Sequence, residues 1–104
     1  MVKIAPSLLS ANFACLKQEI DKIEAAEWIH YDVMDGHFVP NISFGYSILK
    51  DISKVTDKYL DVHLMINDPF KYVDNFIASN ASLIVFHYEA VEKNEIDKLI
   101  KHIK

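Results

Sequence analysis

The chain has 104 residues and a net charge of −4, with 51% hydrophobic and 25% charged residues. This composition fits one globular domain and gives no reason to expect nucleic-acid binding, because no basic patch stands out. No apolar run approaches the roughly 18 residues that span a bilayer. Cys15 is the only cysteine and the N-terminus lacks a secretory pattern, so we expect a cytoplasmic protein without a disulfide.

The first half of the chain alternates between short apolar runs and a helical period. Residues 2–7 are predicted to form a first strand, and either Ser10 or Asn12 can cap the helix that follows. Residues 28–34 are predicted to form a second strand. A second helix is predicted over residues 46–55, with its apolar side chains on one face.

The second half repeats this alternation. Residues 60–66 are predicted to form a third strand, and Asp68 followed by Pro69 is typical of the start of a helix. A fourth strand is predicted over residues 83–88. The fourth helix is predicted from apolar residues three and four apart: Ile96, Leu99, Ile100 and Ile103.

Four strand-then-helix units in a row predict a parallel α/β sheet. The predicted strands are apolar on one face only, and this face should meet the helices. The other face carries His30, Asp32 and Met34 on the second strand, and Asp61, His63 and Met65 on the third. Helices on one side and polar groups on the other are typical of a barrel wall with its chemistry at the carboxyl ends of the strands.

His30, Asp32 and His63 form the candidate metal site. His30 and Asp32 project the same way from one strand, and His63 lies on the equivalent face of the next strand, about 4.8 Å away. Two imidazoles and a carboxylate suit zinc, iron(II), manganese or cobalt better than calcium or magnesium. The carboxylate could also remove a proton from carbon beside a carbonyl group.

A structural interpretation stays open for each residue taken alone, because a single strand histidine is more often structural than catalytic. His87 and Glu89 could extend the polar cluster, but an indirect or structural role is the default for both. Asp35 and His37 follow the strand end, and we expect a role in the turn there.

Four segments resemble the ribulose-phosphate 3-epimerase family, in order and over nearly the whole chain: IAPSLLSANFACL, WIHYDVMDGHFVPNISFG, LDVHLMINDPFKYV and FHYEA. This family has the TIM (β/α)8-barrel fold and epimerises D-ribulose 5-phosphate to D-xylulose 5-phosphate at C3, in the pentose phosphate pathway. The resemblance implies a divalent metal ion, zinc or iron(II) first, and a ketose phosphate substrate. Nucleic acid and membrane are not expected as partners.

The resemblance also implies roles for individual residues. His30, Asp32 and His63 would be metal ligands, and Asp32 would also be a catalytic acid-base group. Ser7 and His63 would contact the substrate. Met34 and Met65 would line the pocket around the enediolate.

Length is the main difference from the family, whose barrel needs eight units. Residues 1–104 are predicted to form a single domain, a half-barrel of the first four β/α units and thus the N-terminal half of the barrel. The second catalytic aspartate and the phosphate loops are not found, and Gly36 and Gly45 are too few for such a loop. We expect the isolated chain to be incomplete for catalysis, and its unpaired sheet edges could form a homo-oligomer or associate with another partner.

Two alternatives to C3 epimerisation of ribulose 5-phosphate stay open. The chain could belong to an epimerase of another ketose phosphate, such as allulose 6-phosphate. It could also be a half-barrel without catalytic activity that binds a metal ion or has a purely structural role.

Overall fold

The computed structural model describes residues 3–9, 11–23 and 25–104. In the described residues, three strands alternate with four α-helices. The strands are β1 (Trp28–Met34), β2 (Tyr59–Met65) and β3 (Leu83–Phe86). The helices are α1 (Leu16–Asp21), α2 (Tyr46–Val55), α3 (Pro69–Ala78) and α4 (Ile96–Ile103). Short 3-10 helices cover Phe13–Cys15, Tyr88–Ala90 and Lys93–Glu95.

The sheet is parallel, with strand order β1-β2-β3. The register places His30 opposite Asp61, and Asp32 opposite His63. Because side chains alternate between faces along each strand, all four of these residues point to the same side of the sheet.

Local sequence explains where two of the helical segments begin. Asp68 accepts a hydrogen bond from the Lys71 backbone N–H, and Pro69 follows it as the first residue of α3. Asn12 accepts a hydrogen bond from the Ala14 backbone N–H and so caps the first 3-10 helix. Both caps were predicted and are confirmed, whereas Ser10 lies outside the described residues.

The hydrophobic core lies between the helices and the apolar face of the sheet. Burial alternates along β1 and β2, so that every second residue is fully covered. The buried set combines strand residues with residues of α1, α2 and α3: Ile20, Ile29, Tyr31, Val33, Leu49, Ile52, Leu60, Val62, Leu64 and Phe76. Each buried aliphatic or aromatic side chain contributes about 1.5–3 kcal/mol relative to exposure. The prediction that helices cover only the apolar face is therefore confirmed.

The predicted first strand is wrong as a strand. Val2 lies outside the described residues, and within residues 3–7 only Ser7 forms a bridge, parallel to His30. Two hydrogen bonds hold this segment, from His30 N–H to the Pro6 carbonyl and from Leu8 N–H to the His30 carbonyl. Pro6 has no N–H to donate, which limits further pairing.

The predicted first helix is α-helical only over Leu16–Asp21, since Phe13–Cys15 form a 3-10 helix after the Asn12 cap. The remaining predicted elements agree with the structure within one or two residues. β1 and α2 have the predicted bounds, and β2 begins one residue earlier than predicted. β3 ends at Phe86 rather than residue 88, because a 3-10 helix begins at Tyr88. None of the helices in the described part of the chain has the length and apolar character that crossing a membrane requires.

Candidate metal centre

Four polar side chains form a two-by-two cluster on the face of the sheet opposite the helices. β1 contributes His30 and Asp32, and β2 contributes Asp61 and His63. Each histidine lies opposite a carboxylate in the register, and every member is partly buried. Acidic and basic groups therefore alternate both along the strands and across them.

Asp32 is at the centre of this cluster. Its Oδ1 lies 2.8 Å from Nε2 of His30 and 3.3 Å from Nδ1 of His63. Its Oδ2 accepts a hydrogen bond of 2.7 Å from the Ser7 hydroxyl. The bridge between Ser7 and His30 thus brings Ser7 to the same carboxylate that the two imidazoles approach.

The geometry of His30, Asp32 and His63 fits a divalent metal ion. One ligand atom from each residue lies within 4.8 Å of the other two. Nitrogen and oxygen ligands bound tetrahedrally at about 2.0–2.1 Å are separated by about 3.3 Å. Oδ1 of Asp32 is 3.3 Å from Nδ1 of His63 and 2.8 Å from Nε2 of His30, so an ion would require only that the His30 nitrogen move slightly away from Asp32. The structure thus brings together the three predicted ligands, although their role as ligands stays a prediction.

Each imidazole also has a partner for its other nitrogen. Nδ1 of His30 lies 2.9 Å from Oδ2 of Asp61. Nε2 of His63 lies 2.8 Å from Nε2 of His87, and the two rings stack with centroids 4.9 Å apart. The distance from Nδ1 of His87 to a Glu89 oxygen is 3.7 Å, so Glu89 is the outermost member of this chain of groups.

The two imidazoles differ in their electrostatic surroundings. Burial alone lowers the pKa of His30, but the Asp61 hydrogen bond and the Asp32 charge outweigh it and the net pKa is raised. Burial lowers the pKa of His63, and the neighbouring His87 lowers it further. His63 is thus favoured as a neutral ring, the form that binds a metal ion.

Asp35, the first residue after β1, forms hydrogen bonds at the carboxyl end of the strands that carry the site. Asp35 accepts backbone hydrogen bonds from His37, Phe38 and Asn67, each 2.8 Å long. Asp35 therefore joins the loops that follow β1 and β2, and its predicted turn role is confirmed. His37 contributes its backbone N–H to this turn, and its side chain is exposed.

Ser43 supports the backbone of the site directly. Its hydroxyl donates to the Asp32 carbonyl at 2.7 Å and accepts from the Met34 N–H at 2.9 Å. Sequence reasoning missed Ser43, because nothing in its spacing indicates that the loop folds back onto β1.

Met34 and Met65 lie opposite each other at the ends of β1 and β2, two register positions beyond Asp32 and His63 and on the same face. Both are half-buried. This position is compatible with the predicted wall of a pocket, and their role in substrate binding stays a prediction.

Comparison with known proteins gives an independent result. The sequence model of the "Ribulose-phosphate 3 epimerase family" matches residues 3–104. The Bacillus subtilis protein named "Ribulose-phosphate 3-epimerase" is 51% identical over 92 residues, which cover 86% of this chain and 42% of that protein.

Two further relatives extend over nearly the whole chain. The Chlamydia pneumoniae protein named "Ribulose-phosphate 3-epimerase" is 44% identical over 105 residues, covering 99% of this chain and 45% of that protein. The Oryza sativa protein named "Ribulose-phosphate 3-epimerase, cytoplasmic isoform" is 44% identical over 104 residues, covering 98% of this chain and 45% of that protein. The chain thus spans less than half the length of these relatives. The matches confirm the resemblance, and the chain belongs to the ribulose-phosphate 3-epimerase family.

Proposed function

We propose that this chain forms the N-terminal part of a TIM (β/α)8 barrel and carries part of its active site. The activity would be metal-dependent C3 epimerisation of D-ribulose 5-phosphate to D-xylulose 5-phosphate. The observation that carries this proposal is the position of Asp32, which lies between two imidazoles and a serine hydroxyl on the face opposite the helices. Membership of the family supports the choice of substrate.

Asp32 is the proposed proton acceptor. Its Oδ1 faces His30 and His63, whereas its Oδ2 has the Ser7 hydroxyl as its hydrogen-bond donor. Oδ2 is therefore the oxygen that can turn to a substrate carbon without leaving the imidazoles. A bound divalent cation would supply positive charge beside the substrate oxygens as C3 loses its proton.

His30 and His63 are the proposed metal ligands together with Asp32. Imidazole and carboxylate donors suit zinc or iron(II) first, and manganese or cobalt could take the same position. Three protein ligands leave room for a fourth, which a tetrahedral ion requires.

Epimerisation also needs an acid on the opposite face of C3, because one carboxylate cannot reach both faces. Neither Asp61 nor Glu89 matches the second aspartate implied by the family resemblance. Since the chain spans less than half the length of its relatives, we propose that this acid and the phosphate-binding loops come from further units of the barrel. The proposed partners are therefore a ketose phosphate and the remaining half of the barrel, which would cover the open edges of the sheet.

The test is Asp32→Asn in the natural protein that contains these residues. Asparagine keeps the size of the side chain but cannot accept the proton, so exchange of the C3 proton with deuterated water should fall by at least a hundredfold. Proton NMR of ribulose 5-phosphate measures this exchange. Exchange at the wild-type rate would rule out Asp32 as the base.

Two assays separate the alternatives. A coupled assay for xylulose 5-phosphate, run beside one that uses allulose 6-phosphate, identifies the substrate. Metal analysis of the purified protein identifies the ion. Bound metal without turnover of either sugar phosphate would favour a metal-binding half-barrel without catalytic activity.

A further inference from the structure

Asp61 lies directly opposite His30 in the register of β1 and β2. Both side chains point away from the helices, and Oδ2 of Asp61 is 2.9 Å from Nδ1 of His30. In the ring form that has its proton on Nδ1, the Nδ1–H group of His30 donates to this carboxylate. Asp61 has no place in the metal-ligand set, so its contact with His30 needs its own explanation.

A carboxylate at Nδ1 determines what Nε2 of His30 can do. When Nδ1 carries the proton, a neutral imidazole has its lone pair on Nε2. Nε2 is the nitrogen that lies 2.8 Å from Oδ1 of Asp32, on the side of the candidate metal centre. The Asp61 contact thus holds the ring in the orientation that a metal ligand at His30 requires, and it favours the proton on Nδ1 when Nε2 binds an ion.

The burial of Asp61 argues against a merely structural role. Its side chain is 14% exposed, and its Oδ1 is buried with no hydrogen-bond partner among the described residues. A carboxylate with an unpaired buried oxygen costs free energy that an apolar residue would not. Packing alone would thus favour an apolar residue at this position, whereas the contact with His30 explains a carboxylate.

His63 provides the contrast. Its second nitrogen contacts the imidazole of His87 rather than an acidic side chain. The two histidines are therefore held by different means. A carboxylate increases the basicity of the imidazole to which it is hydrogen-bonded. His30 should therefore donate its electron pair to a metal ion more strongly than His63.

We propose that Asp61 is a positioning residue for the metal centre, acting through the Nδ1–H group of His30. This inference rests on the proposed function, because it assumes that His30 binds the ion. Asp61 itself contacts neither the ion nor the substrate. It fixes the ring of His30 so that Nε2 is presented to the metal.

The experiment compares Asp61→Ala and Asp61→Asn in the natural protein that contains these residues. Zinc affinity is measured by competition with a chelator, and the Nδ1 proton of His30 by NMR of the zinc-loaded protein. Asp61→Ala removes the acceptor and should weaken zinc binding by about 10- to 100-fold with loss of the Nδ1 proton signal. Asp61→Asn keeps an acceptor oxygen, so it should keep the signal and lose less affinity. Asp51→Asn, which removes an exposed carboxylate on α2, is the matched control and should leave both unchanged.

The other possible outcomes test the positioning role and the proposed function separately. Wild-type affinity in both Asp61 variants would overturn the positioning role. Equal losses in Asp61→Ala and Asp61→Asn would show that only the negative charge matters, and would also overturn it. If Asp61→Ala does not fold, Asp61→Asn decides the matter, since a normal Nδ1 signal with reduced affinity supports the proposal and a missing signal contradicts it. A wild-type protein that binds no divalent cation would contradict the proposed function itself, and the positioning role with it.

Discussion

The fourteen residues of β1 and β2 alternate between two faces of the sheet that have opposite properties. The helix-facing residues of these strands are apolar and 0–5% exposed. On the other face, the side chains of His30, Asp32, Asp61 and His63 are 13–26% exposed and contact one another through nitrogen and oxygen atoms. One face therefore stabilises the fold, whereas the other positions ionisable groups.

This difference predicts that stability and metal binding can be changed separately. The helix-facing residues lose contacts with α2 and α3 when they are truncated. The polar residues lose only a few hydrogen bonds, and their net contribution to stability is smaller. The alternation of strand side chains thus allows the proposed metal centre to form without interrupting the core.

The largest expected effect is on the core face. Leu64→Ala should lower the free energy of unfolding by about 2–5 kcal/mol, because Leu64 is 1% exposed and its removal leaves a cavity. Chemical denaturation of the natural protein measures this change. Leu83→Ala on β3 is the control, since Leu83 is 39% exposed and should cost much less. Equal losses in the two variants would contradict the assignment of the core to one face.

The second test concerns the polar face. His63→Ala should weaken zinc binding at least tenfold, about 1.4 kcal/mol or more, and should leave the metal-free stability nearly unchanged. Chelator competition and metal-free denaturation measure the two quantities. His102→Ala is the control, because His102 lies on α4 and contacts Asp74 rather than the cluster. A large loss of metal-free stability in His63→Ala would contradict the statement that the polar face contributes little to the stability of the fold.

Strand periodicity made the two faces predictable from the sequence. In β1 and β2 apolar residues occupy every second position. This pattern predicts both where the strands begin and end and that His30, Asp32 and His63 point away from the helices. Capping at Asp68 was predictable for a similar reason, because the hydrogen bond to Lys71 is local. Signals that depend on neighbours in sequence were therefore sufficient for these elements.

Contacts between strands were less predictable. The His30–Asp61 pair depends on the register of β1 against β2, and a shift of one residue would move Asp61 away. The contact from His63 to His87 depends on a residue just past the end of β3. At the N-terminus the apolar run predicted a strand, but Ile4 is 71% exposed and, within residues 3–7, only Ser7 forms a bridge. Each of these outcomes depends on tertiary structure that composition and spacing do not encode.

A third test concerns the loop between β1 and α2, which contains Ser43. Ser43→Ala should lower the free energy of unfolding by about 1 kcal/mol, because the Asp32 carbonyl and the Met34 N–H both lose a partner. In the natural protein it should also raise KM for the proposed ketose phosphate substrate, since the Asp32 backbone is less well held. Denaturation and steady-state kinetics measure the two effects. Ser47→Ala on the exposed side of α2 is the control. Identical behaviour of the two variants would show that Ser43 does not support the backbone of the site.

The smallest effect is expected at Asp35, whose side chain joins the loops that follow β1 and β2. Burial raises the pKa of its carboxyl group, but hydrogen bonds from Asn67, His37 and Phe38 outweigh this and lower the pKa below 3.8. A carboxyl group with a lowered pKa in the folded state stabilises the fold above pH 3.8, and this contribution disappears as the pH falls through the folded-state pKa. Asp35→Asn should therefore be less stable than the wild type at pH 6, and the difference should shrink in acid. Denaturation from pH 6 to pH 2.5 measures this, with Asp57→Asn as an exposed control. A difference independent of pH would mean that Asp35 acts by shape and not by charge, and that its carboxylate is unnecessary for joining the loops beside the metal centre.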